Sequence, residues 1–225
     1  MKNNRRINDI INEIIVNDNN FVKSHNKEYF AEHSKKQKPY ITLVTCSDSR
    51  VQPDILLSDP INKIFCVENI GNQILSSEGS VDYGVYHLKT PVLLILGHSD
   101  CGAISAFMNG YANELVSIKN ELDNLKPAIV QKSDYDDFEK ELLINIELNI
   151  DYQVEVALQK YSQLIEKNKL CVIGAYYDFK NDCSEKCGKV LIVNINGDKN
   201  IDSIKHSSFL DGIDPEFIND TVKRI

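Results

Sequence analysis

Two apolar runs, residues 41–45 (Ile-Thr-Leu-Val-Thr) and 92–96 (Val-Leu-Leu-Ile-Leu), each stop abruptly at a short polar string. Runs this short, β-branched or leucine-rich, read as buried parallel strands. The strings that follow are Cys46-Ser-Asp48-Ser-Arg50 and, after Gly97, His98-Ser-Asp-Cys101-Gly102. If the two strands are neighbours, Cys46, His98 and Cys101 gather at their carboxyl ends, where open α/β sheets place ligands. Two thiolates and one imidazole around zinc leave a fourth tetrahedral position for water or for Asp48. That open position separates a catalytic metal from a structural one.

Further strands are expected at 63–67, 170–176 and 189–195, with the first extending over 40–45. Helical periodicity occupies 77–89, a segment beginning at Gly102, and 142–165. Strands alternating with helices make an α/β chain, a mainly parallel central sheet flanked by helices. Ahead of the first strand, Ile7, Ile10, Ile11, Ile14 and Ile15 recur at helical spacing. Asp18-Asn-Asn20 is expected to end that helix and cap a second one through Phe21, Val22, Tyr29 and Phe30. The reading is one domain, a helical arm over 1–36 and an α/β core over 37–225. Residues 126–140 form a polar separator, and the tail after Asn196 is expected to be irregular. No GxGxxG or GxxxxGK[ST] follows any strand, which removes the dinucleotide and nucleoside-triphosphate uses of such a sheet.

The chain of 225 residues carries a formal net charge of -8, so nucleic acid and anionic membranes are poor partners. Its short basic clusters, 2–6 and 35–38, read as solvated faces. No signal-peptide pattern opens the chain, and no apolar run approaches the roughly 18 residues of a membrane span. Six cysteines without a secretion signal read as thiols or metal ligands in a cytoplasmic protein. Cys66 and Cys171, inside strands, are expected in the core. Cys183-x3-Cys187 reads as two loop thiols, since no other soft ligand is near in sequence.

A lone H-x-x-C is weak evidence for zinc, and its weight comes from the charges beside it. Two thiolates neutralise the dication, so water bound there is acidified less than beside three neutral imidazoles. A carboxylate able to accept a proton then becomes useful, and Asp48 is placed for that or for direct ligation. Arg50 can draw Asp48 off the metal through a bidentate pair, making the two residues a latch. The bland alternative is a surface ion pair worth little.

These residues resemble the β-class carbonic anhydrases, whose C-x-D-S-R and H-x-x-C-G motifs appear at 46–50 and 98–102. Similarity extends through Val51-Gln-Pro, Glu68-Asn-Ile-Gly-Asn72, the flanks of the second motif, and Gly174-Ala-Tyr-Tyr-Asp178. The resemblance implies zinc held by Cys46, His98 and Cys101, with Asp48 and Arg50 as the catalytic pair. It implies reversible hydration of carbon dioxide to bicarbonate and a proton, by a homodimer or larger homo-oligomer embraced by its amino-terminal helices. Family offsets that mark an open fourth position give Gln37, Phe65 and Tyr83, and Leu43 stands where the closed subgroup has tryptophan. By the same resemblance Gln37 reaches the site from the partner chain and Phe65 forms an apolar wall. Tyr83 helps relay the proton, and Gly102 lines the substrate site. Two departures stand out. Glu68 replaces the family's usual arginine, which bears on interface pairing, and the 179–188 loop is longer than usual. The competing readings are hydrolysis of carbonyl sulfide or carbon disulfide on the same scaffold, and a zinc-binding oligomer closed by Asp48.

Overall fold

A computed structural model describes residues 5–129, 137–184 and 186–225. Residues 1–38 and 39–225 are two separately compact units. The first holds α1 (Ile7–Ser24) and α2 (Lys27–His33). The break expected at Asp18-Asn-Asn20 does not occur. α1 runs through it, with Asn19 donating its side-chain amide to the Ile15 carbonyl one turn back at 2.8 Å. The chain turns instead at Asn26, whose side chain accepts the Tyr29 N–H at 2.8 Å and caps α2. No residue of either helix is buried.

The second unit is built on five strands, β1 (Ile41–Cys46), β2 (Ile64–Asn69), β3 (Val92–His98), β4 (Cys171–Asp178) and β5 (Lys189–Ile195). Their order is β2-β1-β3-β4-β5, parallel except for β5 against β4. The mainly parallel α/β sheet read from sequence is present, and β1 and β3 are direct neighbours. Most strands run one or two residues past their expected carboxyl ends, so Cys46 and His98 are the last residues of β1 and β3 rather than loop residues.

Residues 75–88 form a 3-10 turn, then α3 (Glu78–Asp82), then a π-helical turn over Tyr83–Leu88, in place of one plain helix. α4 (Gly102–Asn109) starts at Gly102 as expected, followed by α5 (Val116–Asp123). α6 (Phe138–Glu166) lies across one face of the sheet, burying Ile146, Ile150 and Val154. Its approach needs glycine beneath it. A Cβ on Gly97 would meet Ile150 Cδ1 at 2.7 Å, and one on Gly174 would meet Ile150 Cγ2 at 2.8 Å. The opposite face packs Leu43, Leu94, Leu96 and Ala175 against Val51, Ile55, Leu56 and Phe179.

Part of the polar separator, residues 130–136, lies outside the described residues. The tail after Asn196 is not irregular. It forms α7 (Ile201–Lys205) and α8 (Pro215–Thr221), which bury Ile204 and Leu210 with Ile195 and Val222. Asn200 and Asp214 cap these helices from their own side chains, and five to seven residues are too few for periodicity to reveal. Cys66, expected in the core, is exposed on edge strand β2, and Cys171 is half-buried. All six cysteines are free. Among the described residues, no helix is long and apolar enough to cross a membrane.

Candidate metal centre

Parallel neighbours end on the same side of a sheet, so Cys46 and His98 leave β1 and β3 together. The chain then turns at Asp100, in the left-handed region at φ +53°, and Cys101 becomes the residue before the first turn of α4. One ligand atom from each of Cys46, His98 and Cys101 lies within 4.8 Å of the others, and all three residues are buried. Tetrahedral zinc, at about 2.3 Å from sulfur and 2.0–2.1 Å from nitrogen, asks for separations of about 3.5–3.8 Å. Separations within 4.8 Å are compatible with that geometry.

The histidine is the most telling of the three. Its Nδ1 lies 2.8 Å from the Ser99 carbonyl, which assigns the ring proton to that nitrogen. Nε2, the other ring nitrogen, is buried and without a hydrogen-bond partner. A buried orphan nitrogen is costly unless something binds it, and an imidazole oriented by a backbone carbonyl is how proteins present a metal ligand. The thiols are poised accordingly. Hydrogen bonding from Cys101 is the main reason that Cys46 lies well below the ordinary thiol range. Cys101 keeps its proton because Cys46 takes it as a hydrogen bond and burial adds to that. Donors of this kind, soft, buried and partly ionised, fit zinc.

Asp48 stands beside this group without joining it. Its carboxylate accepts Arg50 Nε at 2.9 Å and Nη2 at 2.7 Å, and the Arg50 backbone N–H at 2.9 Å. The guanidinium's hydrogen bonds, more than anything else, pull the Asp48 carboxyl down to about 2. Of its two partners in the latch, Asp48 is on Arg50. Arg50 is held further by Asp100, through Nη1 to Oδ2 and Nη2 to the carbonyl, both at 3.2 Å. The Phe179 ring centroid lies 4.5 Å from Arg50 Cζ.

Gly102 is exposed at the start of α4. Phe65 and Tyr83 pair with each other, ring centroids 5.7 Å apart, but not with the metal group. Phe65 is in register with Thr42, four residues before Cys46, which is about 13 Å along a strand. Gln37 is exposed and belongs to the first unit. Within the second unit, the structure therefore gathers Cys46, Asp48, Arg50, His98, Cys101 and Gly102 in one place and leaves Phe65 and Tyr83 out of it. Sequence reasoning passed over Asp100 and Phe179. Asp100 sits inside the second motif, and Phe179 opens the unusually long loop, but neither residue type announces a contact across the sheet.

A family model described as carbonic anhydrase matches residues 41–184, more than half of the chain. A carbonic anhydrase of Helicobacter pylori is 36% identical over 86 residues, which are 34% of this chain and 39% of that protein. The match thus spans well under half of that relative's length. The β carbonic anhydrase 3 of Arabidopsis thaliana is 28% identical over 178 residues, 72% of this chain and 68% of that protein. Among solved structures, a tetrameric β-carbonic anhydrase of Sordaria macrospora superposes with a TM-score of 0.72 at 22% identity, over 83% of this chain and 98% of that one.

Proposed function

This chain belongs to the β class of the carbonic anhydrase family, and on that premise we propose that it hydrates carbon dioxide reversibly to bicarbonate and a proton at a zinc ion. Cys46, His98 and Cys101 would hold the metal. The observation that carries this reading is His98 Nε2, a buried nitrogen without a hydrogen-bond partner, grouped with two buried thiols. Bound zinc would supply the Lewis acidity that makes water a nucleophile near neutral pH. Asp48 lies two residues from a ligand with its carboxylate ionised, ready to accept a hydrogen bond from the attacking water and fix its orientation. Arg50 keeps that carboxylate from becoming a fourth ligand. The Asp48–Arg50 pair favours this open arrangement over a closed zinc-binding oligomer.

Gln37, Phe65 and Tyr83 are assigned to the substrate pocket of a second copy. With Phe65 about 13 Å from its own Cys46 along the sheet, it cannot wall its own site. A homodimer or larger homo-oligomer is the assembly this reading proposes.

Stopped-flow hydration of carbon dioxide, on protein of known zinc content with and without chelation, tests the reading. Hydration that disappears with the metal is expected, and so is its absence in Cys46→Ala, His98→Ala and Cys101→Ala variants that no longer retain zinc. Full zinc in any of the three overturns the ligand set. Sulfide release from carbonyl sulfide, with no hydration of carbon dioxide, would transfer the assignment to that substrate.

A further inference from the structure

Arg50 works as a clamp only while it stays in place, and nearly half of its side chain is open to water. An arginine so exposed has many rotamers to lose, and its pair with Asp48 alone does not choose among them. Four hydrogen bonds occupy the guanidinium edge, two to the Asp48 carboxylate and two to Asp100. Its face is covered by the Phe179 ring at 4.5 Å. The same ring stacks on His98, centroids 5.9 Å apart and planes inclined by 22°, so one side chain touches both the candidate ligand and the clamp.

Neither support is loose. Phe179 follows Asp178, a fully buried carboxylate. That carboxylate accepts the backbone N–H of Asp182 at 2.8 Å and those of Cys183 and Ser184 at 2.9 Å, besides the Ser184 hydroxyl at 2.9 Å. The Gly188 N–H closes the loop on the Asp178 carbonyl at 2.7 Å, and the Lys180 N–H reaches Ser99 Oγ at 3.3 Å. The loop is thus tied at its base and to the residue after His98. Asp100 is set by its left-handed backbone between β3 and α4.

We propose that Phe179 and Asp100 are positioning residues: together they hold the Arg50 guanidinium on Asp48 and so keep the Asp48 carboxylate off the metal. The consequence for catalysis rests on the carbon dioxide reading above. The contact itself does not. Phe179 supplies a π-face for the cation, and Asp100 supplies the second carboxylate that occupies the edge Asp48 leaves unused.

The test uses the full-length, zinc-loaded protein and the variants Phe179→Leu, Phe179→Tyr, Asp100→Asn and the Phe179→Leu/Asp100→Asn double. The nuclear magnetic resonance signal of Arg50 Nε–H reports the clamp, because the ring above it shifts the proton and the hydrogen bond slows its exchange. Phe179→Tyr is expected to keep both properties and the wild-type kcat. Phe179→Leu should lose the ring shift and lower kcat about threefold with KM within about twofold, since a cation–π contact at an exposed site is worth a factor of that size. In the double variant kcat should fall about tenfold. Its crystal structure should show an Asp48 oxygen at a bonding distance of about 2.0–2.2 Å from zinc. A double variant with Arg50 still protected from exchange, Asp48 still on Arg50 and wild-type kcat overturns the proposal. So do Leu and Tyr variants that lose kcat equally while Arg50 stays clamped, for that is a packing effect. A wild-type holoprotein that hydrates no carbon dioxide overturns the proposed function instead, and the Arg50 signal and Asp48 position then still decide the clamp.

Discussion

At the scale of single residues, ionisable groups on one sheet edge have been sorted by their neighbours. Asp48 is ionised and clamped, whereas His98 is held through Nδ1 by the Ser99 carbonyl and grouped with the thiols. Asp48→Ala should keep its zinc but lose about two orders of magnitude in kcat, because the ligand count is intact while the hydrogen-bond acceptor is gone. Arg50→Ala should fall similarly by freeing Asp48 to cap the metal; metal analysis beside stopped-flow rates checks both. Asp178 makes a different case. Burial pushes its carboxyl up, but the N–H groups of Cys183, Asp182 and Ser184 and the Ser184 hydroxyl outweigh it, so the net direction is down. A depressed carboxyl contributes stability above its unfolded pKa of about 3.9 and loses it as the pH falls through the folded value. Asp178→Asn should therefore cost about 2–4 kcal/mol at pH 7, since it sets an amide against buried donors. The gap between variant and wild type in urea midpoint should shrink toward pH 3.

At the scale of elements, the close approach of α6 to β3 and β4 matters most. Gly97 precedes His98, and Ile150 fills the space where its side chain would be. Gly97→Ala should cost about 1–3 kcal/mol by overpacking and weaken zinc retention by displacing the histidine. The new methyl would meet both Ile150 Cδ1 at 2.7 Å and Cγ1 at 2.8 Å, and Ile150→Val removes only the first, so the double variant should recover a minor part of both losses. Chemical denaturation and metal titration of the two singles and the double give the coupling directly. Periodicity found α6 because it is long, and it failed for α7 and α8 because each is shorter than two helical repeats and held by its caps. It also misjudged Asp18-Asn-Asn20. Residues that favour caps are tolerated within a helix when their side chains satisfy themselves on the preceding turn, as Asn19 does on Ile15.

At the scale of the molecule, α1 and α2 bury no residue, although Ile7, Ile11, Ile14 and Phe21 recur on them. An apolar stripe of this extent is large for a chain that stays monomeric. Removing residues 1–39 should therefore yield a monomer without hydration activity, and the same cut would remove Gln37, proposed above for the neighbouring pocket. Sedimentation of full-length and truncated protein, with rates for each, checks it. A full-length monomer with undiminished hydration would show that one subunit builds the whole site.

From the chain alone came the α/β class, the parallel strands and the triad of Cys46, His98 and Cys101. Buried strands must be apolar and must end where polarity returns, and open α/β sheets place ligands at such ends. The sheet order decided the rest, because only adjacency of β1 and β3 turns two motifs about 50 residues apart into one cluster. Tertiary structure alone put Phe179 over Arg50 and Asp100 against its edge. It also set Phe65 about 13 Å from Cys46 along the strands. Phenylalanine and aspartate are common, and what they do depends on which surface the fold brings within about 4–5 Å of them, a quantity that spacing in sequence does not carry.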